Sequence, residues 1–227
     1  MLKYFYAMLV TRYKESLELD HKIFDLYEEG LGIVYIDRIN KYNSEAIATV
    51  LSDRKAGSQM MVNKFITMGH KKIAYVGNIE SERFMGYKKA FQENNFKLQD
   101  DFIYNTGWND GYRVGTIAAK KIIKAEKRPT GVVCFNDQVA VGLVQCLQKN
   151  DIKVPAEISV SGFDNIEISE YFSPALTTVD IPKRTLARKA VELFVEMIKN
   201  KNTADQKRQF IYPVELKYRD SIRKIKQ

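Results

Sequence analysis

Catalysis and metal binding ask for particular side chains at particular spacings, and most of those arrangements are missing from these 227 residues. The two histidines, His21 and His70, stand 49 positions apart and form no HxxxH or HxH pair, so zinc chemistry is not expected. Cys134 and Cys146, 12 positions apart, sit inside the apolar strings VVCF and VQCL, a usage that suits reduced, buried thiols better than a disulfide framework. The nucleophile elbow GxSxG is absent. Its nearest approach, SVSGFDN, sets Ser161 directly before Gly162 without the flanking glycine. The phosphate loop GxxxxGK[ST] is absent too, and the run IAYVGN has no second glycine at the spacing a dinucleotide cradle needs. No catalytic residue, metal or cofactor is expected.

What remains is a set of polar residues directly after apolar runs. Asp37 follows IVYI, Asn136 and Asp137 follow VVCF, and Asp164 and Asn165 follow ISVSGF. In open α/β sheets ligands settle beyond the carboxyl ends of the strands, where helix N-termini converge. Carboxylates and amides there accept and donate hydrogen bonds without any reactive nucleophile, which suits recognition of a polyhydroxylated ligand better than bond breaking. The same residue types are favoured helix N-caps, so simply starting the next helix is the alternative role for each.

Two kinds of element must position these groups. Short apolar runs at Ala7–Val10, Ile33–Ile36, Ile73–Gly77, Val132–Phe135 and Ile158–Gly162 predict strands, and they alternate with segments of helical period, the pattern of parallel α/β folds. Leu19, Ile23 and Leu26 make one predicted helix face, Met61, Phe65 and Met68 another, and Phe84, Tyr87 and Phe91 a third. Val139, Leu143, Cys146 and Leu147 share a stripe, as do Leu186, Ala190, Leu193 and Met197, while Val114 and Ala118 support a helix over Tyr112–Lys124. Gly30 and Gly69 stand where helices should end. The polar run Lys199–Gln209 reads as a surface loop, IYPVEL after it as strand-like, and Leu176–Ile181, with Pro174 and Pro182 near its ends, as a chain crossing between two lobes. With 45% hydrophobic residues the chain can bury a large core, which excludes intrinsic disorder. Lys and Arg number 36 against 28 Asp and Glu, a net charge of +8, but the cations are spread along the chain and their clusters at Lys88–Lys89, Lys120–Lys124 and Arg219–Lys226 read as solvated faces. No apolar run is long enough to span a bilayer and no signal peptide is evident, so no membrane partner and a cytoplasmic location are expected.

The strings FNDQVAVG, VPAEISVSGFDN and SPALTTVDIP, in that order and at this spacing, resemble the effector-binding core of LacI/GalR-type transcriptional regulators. Upstream, MGHKKIAYVGN, RFMGYKKAF and VYIDR are similar to the same family's motifs, so the resemblance runs from about Tyr6 to Arg223. It implies a two-lobed, type I periplasmic-binding-protein-like α/β fold with helices flanking parallel sheets. Residues 1–50 and 180–204 would form the N-terminal lobe, and 51–179 with 205–227 the C-terminal lobe. A small effector, commonly a sugar or purine in this family, would bind between them. The effector contacts implied are Arg83, whose guanidinium fork matches vicinal hydroxyls or a carboxylate, with Asn136, Asp164, Asp37, Trp108 and Asp53. Trp108 would stack on the apolar face of a sugar, but its spacing to Gly111 is shorter than usual in the family, and Ser52 stands where an acid usually precedes Asp53.

The resemblance also implies a homodimer, formed through Val141, Gln145, Tyr171 and Phe172. Full-length relatives begin with a DNA-binding head and about two further βα units, neither of which is found before Met1, so the first lobe is expected to be incomplete and operator DNA to be read only through a head outside this chain. The function expected is the effector-binding and dimerisation region of a ligand-responsive repressor that senses a small sugar or sugar-like metabolite. The alternative is a periplasmic-type sugar-binding protein for uptake or chemotaxis.

Overall fold

The computed structural model describes residues 6–10, 17–38, 47–107, 111–199 and 209–225. They divide into two compact units, one of residues 1–53 with 182–213 and one of 54–181 with 214–227.

The first unit is a four-stranded parallel sheet in the order β1-β2-β3-β9, with β1 at Tyr6–Val10, β2 at Gly32–Ile36, β3 at Ala48–Ser52 and β9 at Gln209–Tyr212. Strands β2 and β3 (GIVYI and ATVLS) carry the near-continuous burial of a parallel sheet covered on both faces. Helix α1 (Leu17–Glu28) connects β1 to β2, and α7 (Lys183–Lys199) packs on β1, β2 and β3. The buried side of α1 differs from the predicted one. Leu19 and Leu26 are exposed, whereas Ile23 and Asp20 are buried. Asp20 takes an inward position because it forms a buried ion pair with Arg38, just beyond β2. The segment 205–227 does not go to the second unit as a block either, because β9 pairs in parallel with β3 and keeps the chain in the first unit through Pro213.

The second unit holds a parallel sheet in the order β5-β4-β6-β7, made of Ile103–Asn105, Ile73–Gly77, Gly131–Cys134 and Ser159–Ser161. An antiparallel pair of β8 (Thr178–Asp180) and β10 (Glu215–Lys217) extends it through a bridge between Ser161 and Thr177. The stretch Leu176–Ile181 is thus a strand as well as the exit to the first unit, which begins again at Pro182. Helices α2 (Arg54–Thr67) and α3 (Glu82–Glu93) pack on each other, as do α4 (Tyr112–Lys124) and α5 (Asp137–Gln148), and the short α6 (Ile168–Tyr171) follows β7. Chain order and right-handed crossovers put α3 on one face of the sheet and α4 and α5 on the other.

Both helix pairs close through glycine. A Cβ at Gly86 would lie 2.1 Å from the Lys55 carbonyl oxygen, one at Gly115 2.0 Å from that of Val139, and one at Gly142 2.0 Å from that of Tyr112. This close approach explains why α5, apolar on more than one face, is buried within its own unit: Val139, Val141, Leu143, Val144 and Leu147 all belong to one core cluster with Ala118, Ile122 and Val160. Cys134 and Cys146 are buried free thiols.

Candidate functional site

The polar groups of the second unit meet at the carboxyl ends of β6 and β7. Arg83, in the first turn of α3, is 8% exposed. Its Nη1 donates to the Phe135 carbonyl at 2.8 Å and its Nη2 to Asp164 Oδ1 at 2.8 Å. The guanidinium lies between two phenyl rings, with their centroids 4.5 Å away at Phe135 and 4.2 Å at Phe163. Its Nε is buried with no hydrogen-bond partner. The position of Arg83 is set from below. Ser81 caps α3 by accepting from Phe84 N, and Tyr75, Phe84 and Tyr87 pack ring against ring under the helix.

Asp164 and Asn165 both have left-handed backbones, with φ of 98° and 45°, a conformation that costs energy for residues other than glycine. The surroundings hold them there. Asp164 N donates to the Val179 carbonyl at 2.9 Å, Asn165 Nδ2 to Asp180 Oδ1 at 3.0 Å, and Arg219 Nη2 to Asn165 Oδ1 at 3.0 Å. Arg219 therefore supports the site rather than lying on a solvated face. A strained loop clamped from three sides is a way of aiming one carboxylate.

Asn136 takes the capping role open to it, and Asp137 takes neither of the two. Asn136 is the N-cap of α5, its Oδ1 accepting from Val139 N at 2.9 Å. Asp137 is fully buried and accepts from Ile166 N and Ser169 Oγ, both at 2.8 Å, and from Thr178 Oγ1. A Cβ on Gly162 would lie 2.1 Å from its Oδ1, which is why glycine precedes Phe163. Burial pushes the Asp137 carboxyl up to about 6, against three donors that pull it down. Asp137 thus ties α5 to the loop after β7 and to β8, and takes no part in a ligand surface.

In the first unit Asp37 also has a left-handed backbone, φ 54°, and its Oδ1 accepts from Ser52 N at 3.0 Å and Ser52 Oγ at 2.6 Å. Ser52, found where the family usually has an acid, thus partners Asp37. Asp53 closes this unit, its N–H donating to the Tyr212 carbonyl at 2.8 Å. Trp108 lies outside the described residues. Of the residues expected at a dimer interface, Val141 is 2% exposed and belongs to the core, so it offers nothing to a partner. Tyr171 is 77% exposed, Gln145 is exposed, and Phe172 packs partly against the core.

Two site residues escape a search for polar groups: Phe135 and Phe163. The signal for them is that the same residue type precedes both Asn136 and Asp164, in the strings FND and GFDN. Among the described residues no three His, Cys, Asp or Glu side chains gather as a metal ion requires. No helix among the described residues is long and apolar enough to cross a membrane.

A parallel sheet bearing a buried guanidinium, a strained carboxylate and a capping amide at its strand ends can offer hydrogen bonds to a polar ligand without a reactive nucleophile. The chain belongs to the family of periplasmic binding protein-like domains, whose profile matches residues 62–222. It is similar to the HTH-type transcriptional repressor PurR of Vibrio campbellii, with 39% identity over 78% of this chain and 53% of the relative, and to that of Vibrio cholerae, with 36% over 77% and 52%. The chain therefore spans about half the length of the curated relatives it matches. Among solved structures, a sugar-binding transcriptional regulator of the LacI family from Escherichia coli, complexed with phosphate, superposes with a TM-score of 0.78 at 27% identity, covering 97% of this chain and 77% of the other. The regulator CcpA of Lactococcus lactis gives 0.82 at 26%, covering 96% and 78%. Over the matched residues the chain is therefore similar to the effector-binding region of LacI/GalR-type transcriptional regulators.

Proposed function

We propose that the chain is the sensing region of a cytoplasmic, homodimeric repressor whose effector is a small, neutral, polyhydroxylated metabolite such as a sugar, and that it performs no catalysis. The observation that carries the proposal is the Arg83–Asp164 pair. The carboxylate already balances the guanidinium charge, so an anionic ligand would have to displace Asp164 to gain an ion pair. A hydroxyl does better. It donates to Asp164 and accepts from Arg83 or from the Asn136 amide, leaving no charge unpaired. The flanking Phe135 and Phe163 rings keep the pair stiff and shield it from water.

The sugar-binding neighbour from Escherichia coli supports the ligand class, and the repressor relatives support the regulatory role. In the whole protein the effector would act on operator DNA through a DNA-reading head, and it regulates only if it binds one conformation of the protein more tightly than another. Asp37, Asp53 and Trp108 remain candidate contacts, each tested by its own substitution.

The test is a panel of pentoses, hexoses and nucleobases incubated with wild type and Asp164→Asn, with ligand-induced stabilisation and chemical turnover recorded together. Stabilisation by a polyol without turnover, lost in the variant, is the expected result. Turnover by wild type that vanishes in Asp164→Asn would replace this reading with an enzymatic one, and a response to nucleobases alone would replace the sugar.

A further inference from the structure

Helix α4 reads YRVGTIAAKKIIK, with four cations, Arg113, Lys120, Lys121 and Lys124, and no acid. Between its outer side and the carboxyl end of β5 runs a groove of about 430 Å³ lined by Tyr104, Asn105, Thr106, Arg113, Ile117 and Lys121, among others. That size is in the range of small-molecule sites. Arg113 and Lys121 lie eight residues apart, about 12 Å along the helix, and Val114, Ile117 and Ala118 form an apolar strip between them. Ile117 is 48% exposed, an unusual position for a large aliphatic residue flanked by cations.

Neither Arg113 nor Lys121 has an ion-pair or hydrogen-bond partner among the described residues. The opposite wall can donate hydrogen bonds. Burial and the charge of Asp101 push the Tyr104 hydroxyl away from ionisation, so it keeps its proton. Asn105 uses its Oδ1 to accept from Gly107 N at 3.0 Å, which leaves its amide nitrogen to face a ligand. The groove is built by α4 and the edge strand β5, whereas the Arg83 site is built by α3 and the ends of β6 and β7.

We infer that this groove is a second ligand site, distinct from the Arg83 site, for a small organic anion: a carboxylate or phosphate ester with an apolar body lying along Val114, Ile117 and Ala118. Unpaired cations at both ends of an apolar strip, on a helix with no acid to neutralise them, complement that chemistry and repel a cation. A neutral polyol, which suits Arg83 and Asp164, would leave both cations uncompensated and the strip without an apolar partner.

The probe for the test is 8-anilinonaphthalene-1-sulfonate, an anion with an apolar body, titrated into wild type and followed by fluorescence and by backbone amide spectra. One saturable site is expected, with shifts confined to Tyr104–Thr106 and α4, and with affinity falling as salt is raised. The exposed double variant Arg113→Gln/Lys121→Gln should weaken binding at least tenfold while keeping the wild-type melting temperature and the wild-type response to the polyol panel. Displacement of the probe by octanedioate assigns a carboxylate, and displacement by hexyl phosphate assigns a phosphate ester. Undiminished binding by the double variant, shifts centred elsewhere, or displacement by neither competitor would overturn the site.

Discussion

Arg83 and Asp137 show how differently two buried charges can be used. Arg83 spends two of its nitrogens on Phe135 and Asp164 and keeps Nε unpaired, so truncation removes a proposed ligand donor and also the ion pair with Asp164. Arg83→Ala is expected to weaken binding of the best polyol by about 2–5 kcal/mol, as for other desolvated charge pairs cut on one side. Calorimetry measures this, and unchanged affinity would remove Arg83 from the site. Asp137 instead bears on stability. Its folded-state pKa, about 6, lies above the ordinary 3.8, so the folded protein binds the proton more tightly. The resulting stabilisation is complete below pH 4 and disappears as pH rises through 6, a change of about 3 kcal/mol. Urea unfolding of wild type and Asp137→Asn between pH 4 and 7 should differ by that slope. His70 acts with the opposite sign. Its ring is buried between Thr130 and the Arg223 carbonyl, each 3.0 Å away, and burial lowers its pKa from 6.5. Its contribution is therefore lost as pH falls below about 6.5, and His70→Gln should flatten that limb of the same curve.

At the scale of elements, the closest helix contacts lie at glycine positions. Alanine at Gly142 would gain roughly 1 kcal/mol of helix propensity, yet its Cβ would stand 2.0 Å from the Tyr112 carbonyl oxygen, so α4 and α5 would have to separate. The steric effect wins, and Gly142→Ala is expected to cost about 1–3 kcal/mol or more, read from the midpoint of denaturant unfolding. A gain in stability would mean that the helices part freely. Sequence patterning locates these helices well: Tyr112–Lys124 and Lys183–Lys199 stand where the apolar period places them. It does less for short strands. Strand β5 has three half-exposed or exposed residues, and in β9 only Phe210 and Tyr212 are partly buried. Strand β5 lacks the apolar run that marks a buried strand, and of β9 only Ile211 and Tyr212 fall in the strand-like IYPVEL.

For the whole molecule, the proposed dimer has an exposed anchor. Tyr171 and Ile168, 77% and 43% exposed, place an apolar patch on the short helix Ile168–Tyr171, beside the partly buried Phe172. Tyr171→Asp is the informative change, because Phe172→Asp would also disturb the core. Sedimentation at micromolar concentration is expected to show a dimer for wild type and a shift towards monomer for the variant. Monomer alone in both would reject this interface.

The apolar runs, their alternation with helical segments and the polar residues after them are local properties, and the sequence by itself determined them: five of the ten strands among the described residues, the helix faces apart from that of α1, and Asn136 and Asp164 as candidates, with Arg83 added by the family resemblance. Four matters belonged to the tertiary structure. Asp137 is a buried tie and not a cap or ligand contact, because hydrogen-bond partners 29 to 41 residues away cannot be read from the chain. Arg83 lies between Phe135 and Phe163, which only the meeting of α3 with the ends of β6 and β7 brings about. Val141 is core and not interface, because α4 closes on α5 through Gly115 and Gly142. The strand Gln209–Tyr212 joins β3, some 160 residues earlier, because pairing an edge satisfies backbone groups wherever the partner lies in sequence.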